Sequence, residues 1–165
     1  MPVTLKGSCR CGAVHFTCKS HTPVPYQRCY CSICRKTAGG GGYAINLGAN
    51  TKTLKIKSTK RSLRVFRAEI RQDGGSCELS TAERNFCARC ATALWLFSPE
   101  WPELIHPFAS AIDSELPVPP SSVHLMLKFK PSWVVAEVGK KDRCFDLYPE
   151  QSIEDWHRGR GLWVE

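Results

Sequence analysis

The stretch Arg28-Cys29-Tyr30-Cys31-Ser32-Ile33-Cys34-Arg35 places three thiols within six residues, and four consecutive glycines follow it closely. We call Cys29, Cys31 and Cys34 the three-cysteine cluster. Thiols at this spacing can bind one soft metal ion, but a closed structural zinc site needs four ligands. The fourth position is therefore either a distant side chain or the place where a substrate binds.

A second group of cysteines, here called the four-cysteine cluster, consists of the pairs Cys9/Cys11 and Cys87/Cys90. In an extended Cys-x-Cys both side chains point to the same face of the strand, so Cys9 and Cys11 can bind one ion. The Cys-x-x-Cys pair of Cys87 and Cys90 offers two further thiolates. Together the pairs predict a closed, tetrahedral zinc site that clamps the N-terminal hairpin to the middle of the chain. The alternative is four buried cysteines without a metal.

The three-cysteine cluster then has three ligands, which is the usual arrangement of a catalytic zinc with an open fourth position. A thiol bound there would be deprotonated and held as a nucleophile. The alternative is a fourth protein ligand that closes the site. The candidates for that ligand are Cys18, Cys77, Cys144, His15 and His21. We otherwise expect the three lone cysteines to be small core residues.

The composition is typical of a soluble globular protein, with 42% hydrophobic and 23% charged residues in a chain of 165. This length predicts a single domain over residues 1–165. The sequence has no apolar run of about 18 residues and no signal-peptide pattern, so we expect no membrane association and a cytoplasmic setting. In a reducing compartment, closely spaced cysteines more often bind metal than form disulfides.

The formal charge of +8 favours anionic ligands. Residues 52–71 carry eight Lys or Arg and one acidic residue, Glu69. The alternation of apolar and basic residues over 53–57 predicts a pair of strands with a solvated basic face. We prefer this interpretation to a dedicated site for nucleic acid, which remains the alternative.

Many short strands at close spacing predict a mainly β fold. A strand, a tight turn at Gly12 and a second strand are expected over residues 5–18, and a turn over 73–76. Further strands are expected over residues 43–47, 54–57, 63–67, 78–86, 93–97, 105–111 and 123–129. One helical turn is expected over 32–37. A short helix at about 152–158 is capped by Ser152 and ended by glycines.

Five segments point to a known family: residues 7–14 (GSCRCGAV), 29–36 (CYCSICRK), 85–90 (NFCARC), 108–113 (FASAID) and 124–133 (HLMLKFKPSW). They resemble the glutathione-dependent formaldehyde-activating enzyme family, which includes centromere-protein-V-like proteins. The resemblance covers roughly residues 5–135, and the C-terminal extension lies outside it. Ala91 and Ala111 stand where the family commonly has glycine.

This resemblance implies an Mss4-like fold of twisted antiparallel sheets with short helices. It implies two zinc ions per chain, a structural zinc on Cys9, Cys11, Cys87 and Cys90 and a catalytic zinc on Cys29, Cys31 and Cys34, where the glutathione thiol is handled. The activity it implies is the condensation of formaldehyde with glutathione to S-hydroxymethylglutathione, classed as a carbon–sulfur lyase. Some family members lack that activity.

We therefore expect a zinc-dependent enzyme that acts on glutathione or a related thiol and its small-carbonyl adduct. Asp113, His124 and Lys130 are weak catalytic candidates by motif, with a structural hydrogen-bonding role as the alternative for each. The glycines that could let the backbone of a tripeptide substrate lie close are Gly39, Gly40, Gly41 and Gly42. The alternative functions are a non-catalytic zinc module that presents its basic face to nucleic acid or an acidic protein, and a metal-buffer or thiol-transfer role.

Overall fold

The computed structural model describes residues 1–71 and 75–165. Its main feature is a seven-stranded sheet in which every neighbouring pair is antiparallel. In their order across the sheet, the strands are β1 (Val3–Ser8), β2 (Val14–Thr22), β5 (Gly48–Ser58), β11 (Leu104–Pro107), β10 (Ala93–Phe97), β9 (Glu83–Cys87) and β6 (Leu63–Phe66). The prediction of a mainly β fold is confirmed.

The hairpin of β1 and β2 forms because alternate side chains of β2 enter the core. Val14, Phe16 and Cys18 are buried, whereas His15 and Lys19 are exposed. Phe16 packs against Trp95 of β10, with ring centroids 5.0 Å apart. The predicted strand, turn and strand over residues 5–18 are confirmed, and Gly12 makes the turn with a φ of +75°, which favours glycine.

A second sheet places Cys29 next to the cavity described below. Its strands, in order, are β13 (Arg143–Cys144), β12 (Val123–Leu125), β3 (Gln27–Cys29) and β4 (Ala44–Ile45). β12 runs parallel to both of its neighbours, so this sheet is mixed, unlike the antiparallel sheets that the resemblance implied.

The helices are short: α1 (Ser32–Ala38), α2 (Ile153–Arg158) and single 3₁₀ turns at Ala109–Ala111 and Leu127–Phe129. Two of the predicted strands are therefore shorter than expected. The strand expected over 105–111 ends at Pro107 because the chain then enters the 3₁₀ turn at Ala109–Ala111, and the strand expected over 123–129 ends where Met126 adopts a φ of +61°. Over residues 1–71 and 75–165, no helix has both the length and the apolar character needed to cross a membrane.

The basic segment 52–71 contributes β5 and β6, and its eight Lys and Arg side chains are exposed, as predicted. The two strands belong to the same sheet but are not neighbours, since β5 pairs with β2 and β11 and β6 pairs with β9. A separate hairpin of β7 (Glu69–Arg71) and β8 (Cys77–Leu79) follows. The predicted turn at 73–76 falls partly outside the described residues.

The C-terminal extension packs onto the chain just after β2. Trp156 of α2 stacks on Tyr26 with ring centroids 3.6 Å apart. The ring of His157 accepts a hydrogen bond at Nε2 from the Val24 N–H (3.2 Å) and bonds through Nδ1 to the Ile153 carbonyl (2.8 Å). The predicted helix at 152–158, with Ser152 as its N-cap, is confirmed.

Candidate metal centres and active-site cavity

The four-cysteine cluster forms where two turns meet. Cys9 and Cys11 lie in the turn between β1 and β2, and Cys87 and Cys90 lie at the end of β9 and in the turn after it. The N–H of Arg10 donates to the Thr92 hydroxyl (3.1 Å) and ties one turn to the other. All four Sγ atoms lie within 4.8 Å of one another. The structure thus assembles the predicted set from segments about 75 positions apart.

The spacing of these sulfurs fits a tetrahedral zinc ion. The Sγ atoms of Cys9 and Cys11 are 3.6 Å apart, and those of Cys11 and Cys87 are 3.8 Å apart. Four sulfurs at about 2.3 Å from one zinc would be separated by about 3.8 Å. Hydrogen bonds from the Thr92 side chain and backbone lower the pKa of Cys90 to about 5, which favours the thiolate that a metal requires.

The three-cysteine cluster joins the end of β3 to the start of α1. Cys29 is the last residue of β3, Cys31 is the N-cap of α1, and Cys34 lies in its first turn. The N–H of Cys34 donates to the Cys31 sulfur (3.2 Å). The three Sγ atoms lie within 4.8 Å of one another, so the structure also brings this predicted set together.

The electrostatics of this cluster favour one thiolate in the absence of a cation. Hydrogen bonds from the thiols of Cys29 and Cys34 lower the pKa of Cys31 to about 2. The hydrogen bond with Cys31 raises the pKa of Cys29, and that of Cys34 is also raised. Three adjacent thiolates repel one another, so full ionisation needs a bound cation.

None of the five candidate fourth ligands joins the three-cysteine cluster. Cys18 is buried in the core, as predicted, but Cys77 and Cys144 are exposed, so their prediction as core residues is wrong. Cys77 lies on the exposed strand β8, and Cys144 on β13 at the edge of its sheet. Over residues 1–71 and 75–165, the cluster has three His, Cys, Asp or Glu ligands and no fourth.

The three thiols line a cavity of about 690 Å³. One wall comes from β7 with Glu69, Ile70 and Arg71, and further apolar lining comes from Leu96, Trp101, Leu125, Met126 and Phe129. A cavity of this size, apolar with a few polar groups, is typical of a small-molecule site. Two polar lining residues, Arg84 and His106, carry no motif in the sequence and escaped prediction.

Arg84 reaches this cavity from β9 and is only 7% exposed. Its Nη2 lies 3.8 Å from the Cys34 sulfur, whereas Nε and Nη1 have no hydrogen-bond partner. His106 lines the same cavity and bonds through Nδ1 to the Leu47 carbonyl (3.0 Å). Burial lowers the pKa of His106, so its imidazole is neutral at pH 7.

His124 does not line the cavity. Its side chain is fully buried and contacts Tyr30, which stands between Cys29 and Cys31. Its Nδ1 lies 2.9 Å from the hydroxyl of Tyr30, and its Nε2 lies 3.2 Å from Oδ2 of Asp142. Burial opposes ionisation of Asp142, but hydrogen bonds from the N–H groups of Ser122 and Gly139 lower its pKa. The arrangement is a buried hydrogen-bond network.

Asp113 and Lys130, the other two catalytic candidates, also lie outside the cavity lining. The exposed carboxylate of Asp113 accepts a hydrogen bond from the Ser8 hydroxyl (2.6 Å), next to the four-cysteine cluster. Lys130 Nζ donates to the carbonyl of Val134 (2.6 Å). Asp113 is therefore bonded to a side chain of β1, and Lys130 is bonded to the backbone four residues further along the chain.

The four glycines after α1 are likewise absent from the cavity lining. A Cβ on Gly39 would lie 2.2 Å from the Tyr43 carbonyl oxygen, and Gly42 has a φ of +91° and packs on Val134. Gly40 and Gly41 have no atom within 4 Å of a Cβ position. The backbone therefore requires glycine at Gly39 and Gly42, whereas Gly40 and Gly41 face open space.

Fold and site together define a cysteine-rich, mainly β protein with a four-thiol site and a three-thiol site at a cavity. The model of the glutathione-dependent formaldehyde-activating enzyme family matches residues 4–128. This chain belongs to that family.

A relative from Halomonas elongata, named "Putative glutathione-dependent formaldehyde-activating enzyme", is 58% identical over 158 residues. The alignment covers 96% of this chain and 97% of the relative. A crystal structure of a Rhodobacter sphaeroides protein is similar at 19% identity and a TM-score of 0.48, covering 85% of this chain and 98% of that one.

Proposed function

We propose that this protein is a zinc-dependent enzyme that forms or breaks a carbon–sulfur bond between glutathione, or a related thiol, and a small carbonyl compound. The observation that carries the proposal is a set of three thiols at a cavity with no fourth His, Cys, Asp or Glu ligand in the described chain. Family membership supports the choice of glutathione and formaldehyde. An Mss4-like fold, the carbon–sulfur lyase class and a cytoplasmic setting belong to the same proposal.

The residues present fit zinc at both clusters, because thiolates are preferred zinc ligands and the Sγ atoms within each cluster lie within 4.8 Å of one another. In the four-cysteine cluster, Sγ–Sγ distances of 3.6 and 3.8 Å also match tetrahedral coordination. Zinc held by Cys29, Cys31 and Cys34 would act as a Lewis acid that lowers the pKa of a bound thiol. The protein's own part is to hold the three ligands and to surround the reacting sulfur with a largely apolar wall.

The addition step balances without an oxidant or reductant. The thiolate sulfur attacks the carbonyl carbon, one carbon–sulfur bond forms, and the carbonyl π electrons move to the oxygen. That oxygen takes up the proton that the thiol lost, and the product is a hemithioacetal, which for formaldehyde is the S-hydroxymethyl adduct. His106 is neutral, bonds to Leu47 through Nδ1 and has Nε2 available to carry that proton.

Open space at Gly40 and Gly41 supports the proposal that the backbone of a tripeptide can lie along this loop. We assign positioning roles to Asp113, His124 and Lys130, because each side chain is hydrogen-bonded to protein groups away from the cavity lining.

The test measures zinc per chain and the rate of S-hydroxymethylglutathione formation from glutathione and formaldehyde, compared with the uncatalysed rate. We expect two zinc ions and a rate above background that Cys31→Ser abolishes. The matched control is Cys77→Ser, which alters an exposed cysteine outside both clusters and should leave the rate unchanged. Two zinc ions with no spectroscopic response to any thiol would contradict the proposal.

The exposed basic segment 52–71 supports a second candidate, a non-catalytic zinc module that binds nucleic acid or an acidic protein. Glutamate substitutions at Lys55, Lys57 and Arg64 should then abolish binding to a DNA duplex. Turnover of glutathione and formaldehyde by the wild-type protein, with no salt-sensitive DNA binding, would exclude this candidate.

A further inference from the structure

Two of the three guanidinium nitrogens of Arg84 have no hydrogen-bond partner among the described residues. The side chain is 7% exposed, and its Nε and Nη1 have no hydrogen-bond partner. A buried guanidinium is costly unless an anion or several acceptors satisfy its N–H groups. Its contact with the Cys34 sulfur at 3.8 Å engages Nη2 only. The two remaining nitrogens are therefore available to an acceptor that enters the cavity.

No carboxylate of the described residues hydrogen-bonds to Nε or Nη1 of Arg84. Glu83, the preceding residue, forms an ion pair with Arg67 on the exposed side of the sheet. Asp142 accepts hydrogen bonds from His124 and two backbone N–H groups. The carboxylate of Glu69, which lines the cavity, also forms no hydrogen bond with these nitrogens, so within residues 1–71 and 75–165 they are left for an acceptor that enters the cavity.

A second unsatisfied polar atom lies in the same cavity. Oδ1 of Asn46 is buried without a partner, and Asn46 lines the cavity that contains Arg84 and the three thiols. An amide oxygen accepts hydrogen bonds from N–H groups. The cavity thus offers a cationic donor, a neutral acceptor and a soft-metal site to one small molecule.

We propose that Arg84 binds a carboxylate of the thiol substrate and that Asn46 accepts a hydrogen bond from an N–H group of the same molecule. This inference rests on the proposed function, because it places the substrate sulfur at the three-cysteine cluster. It defines the substrate class as a thiol that bears a carboxylate and an amide or ammonium N–H, such as a cysteine-containing peptide. Arg84 selects this class against simple thiols, because guanidinium–carboxylate hydrogen bonds are strong when shielded from water.

The first arm of the test uses the wild-type, zinc-loaded protein and a matched pair of thiols, 3-mercaptopropionate and 3-mercaptopropionamide. They have the same skeleton and differ in the carboxylate. Isothermal titration calorimetry should show that the carboxylate binds at least about tenfold more tightly. Equal dissociation constants would overturn the inference without touching the proposed function, since both thiols would still bind.

The second arm repeats both titrations with Arg84→Gln. This variant should bind the amide as the wild type does, which also shows that it is folded, and should lose the preference for the carboxylate. Arg84→Lys should retain part of that preference. The matched control is Arg64→Gln, which removes an equal charge from an exposed position on β6 and should keep the full preference.

Two results of the second arm would overturn the inference. One is an Arg84→Gln protein that still prefers the carboxylate. The other is a variant with unchanged dissociation constants and a lower kcat, because Arg84 would then act on the reacting oxygen. Failure of the wild type to bind either thiol would instead overturn the proposed function, and the inference with it.

Discussion

The hydroxyl of Tyr30 and Nδ1 of His124 lie 2.9 Å apart in the protein interior, between residues 94 positions apart in the sequence. Tyr30 stands between Cys29 and Cys31, so this hydrogen bond fixes the segment that carries two of the three cluster thiols. Asp142 holds the opposite nitrogen of the ring. These contacts support the proposed role of His124 as a positioning residue for the three-cysteine cluster.

Replacing His124 by Phe should lower both stability and metal retention. The change leaves the Tyr30 hydroxyl and the Asp142 carboxylate without their buried partner, which costs roughly 1–3 kcal/mol. Urea unfolding measures the free energy, and competition with a chelator measures the loss of the second zinc. The exposed Asp113→Asn substitution is the comparison and should change both quantities less. A variant with wild-type stability and zinc content but no turnover would instead identify His124 as catalytic.

Serine substitutions should have different effects in the two clusters. Cys87 is fully buried and belongs to the cluster that joins the β1–β2 turn to β9, so Cys87→Ser should prevent stable folding. Cys31→Ser should leave a folded protein that holds one zinc ion. Circular dichroism and zinc analysis of the two variants separate these outcomes. Equal loss of structure in both would contradict the assignment of one structural site and one functional site.

Ala91→Gly should stabilise the four-cysteine cluster. Ala91 has a φ of +61°, a conformation that costs a residue with a Cβ roughly 1–2 kcal/mol. Glycine adopts this conformation without that cost. After the extra chain entropy of glycine in the unfolded state, the net gain should be about 0.5–1 kcal/mol. Ala88→Gly, in the same turn but without a positive φ, should lower the free energy of unfolding. Urea unfolding measures the sign of both changes.

His157 should make the folded state sensitive to acid. Burial lowers the pKa of this ring, whose two nitrogens are both hydrogen-bonded to backbone groups of Val24 and Ile153. Its contribution to stability is therefore full above an unfolded-state pKa of about 6.5 and is lost as the pH falls below that value. His157→Gln should be less stable at pH 7.5 but lose less stability between pH 6.5 and 5.5.

The matched control for this prediction is His15→Gln, which alters an exposed ring on β2. Unfolding curves at each pH, with zinc content determined in the same buffers, separate the histidine effect from metal loss. If the free energy of unfolding changes with pH by the same amount in the wild type and in His157→Gln, the ring of His157 does not cause the acid sensitivity.

Local patterns in the sequence were sufficient to predict the β1–β2 hairpin, the capped helix α2 and which cysteines form each cluster. Each depends on short-range rules: side-chain alternation, a capping serine or fixed spacing of soft ligands. The strand ends were less predictable. Met126 leaves its strand through a positive φ that no apolar pattern reveals.

The cavity chemistry could not be predicted for a different reason. Arg84 lies on β9 of the seven-stranded sheet and Cys34 lies on α1, which follows β3 of the second sheet, so their contact depends on long-range packing that no local motif encodes. The sequence motif made His124 a catalytic candidate. Its burial and its contact with Asp142 depend on the parallel pairing of β12 with β3 and β13. Long-range pairing of this kind decides which polar side chains face a cavity and which support it.

The central claim is that the three-cysteine cluster holds a metal with a position open to a substrate thiol. Zinc-edge X-ray absorption of the protein loaded with two zinc ions, recorded with and without glutathione, tests it most directly. With one four-sulfur and one three-sulfur site, glutathione should raise the mean number of sulfur ligands by about one half per zinc. A spectrum that shows four sulfurs per zinc from the start and does not change with glutathione would contradict the claim.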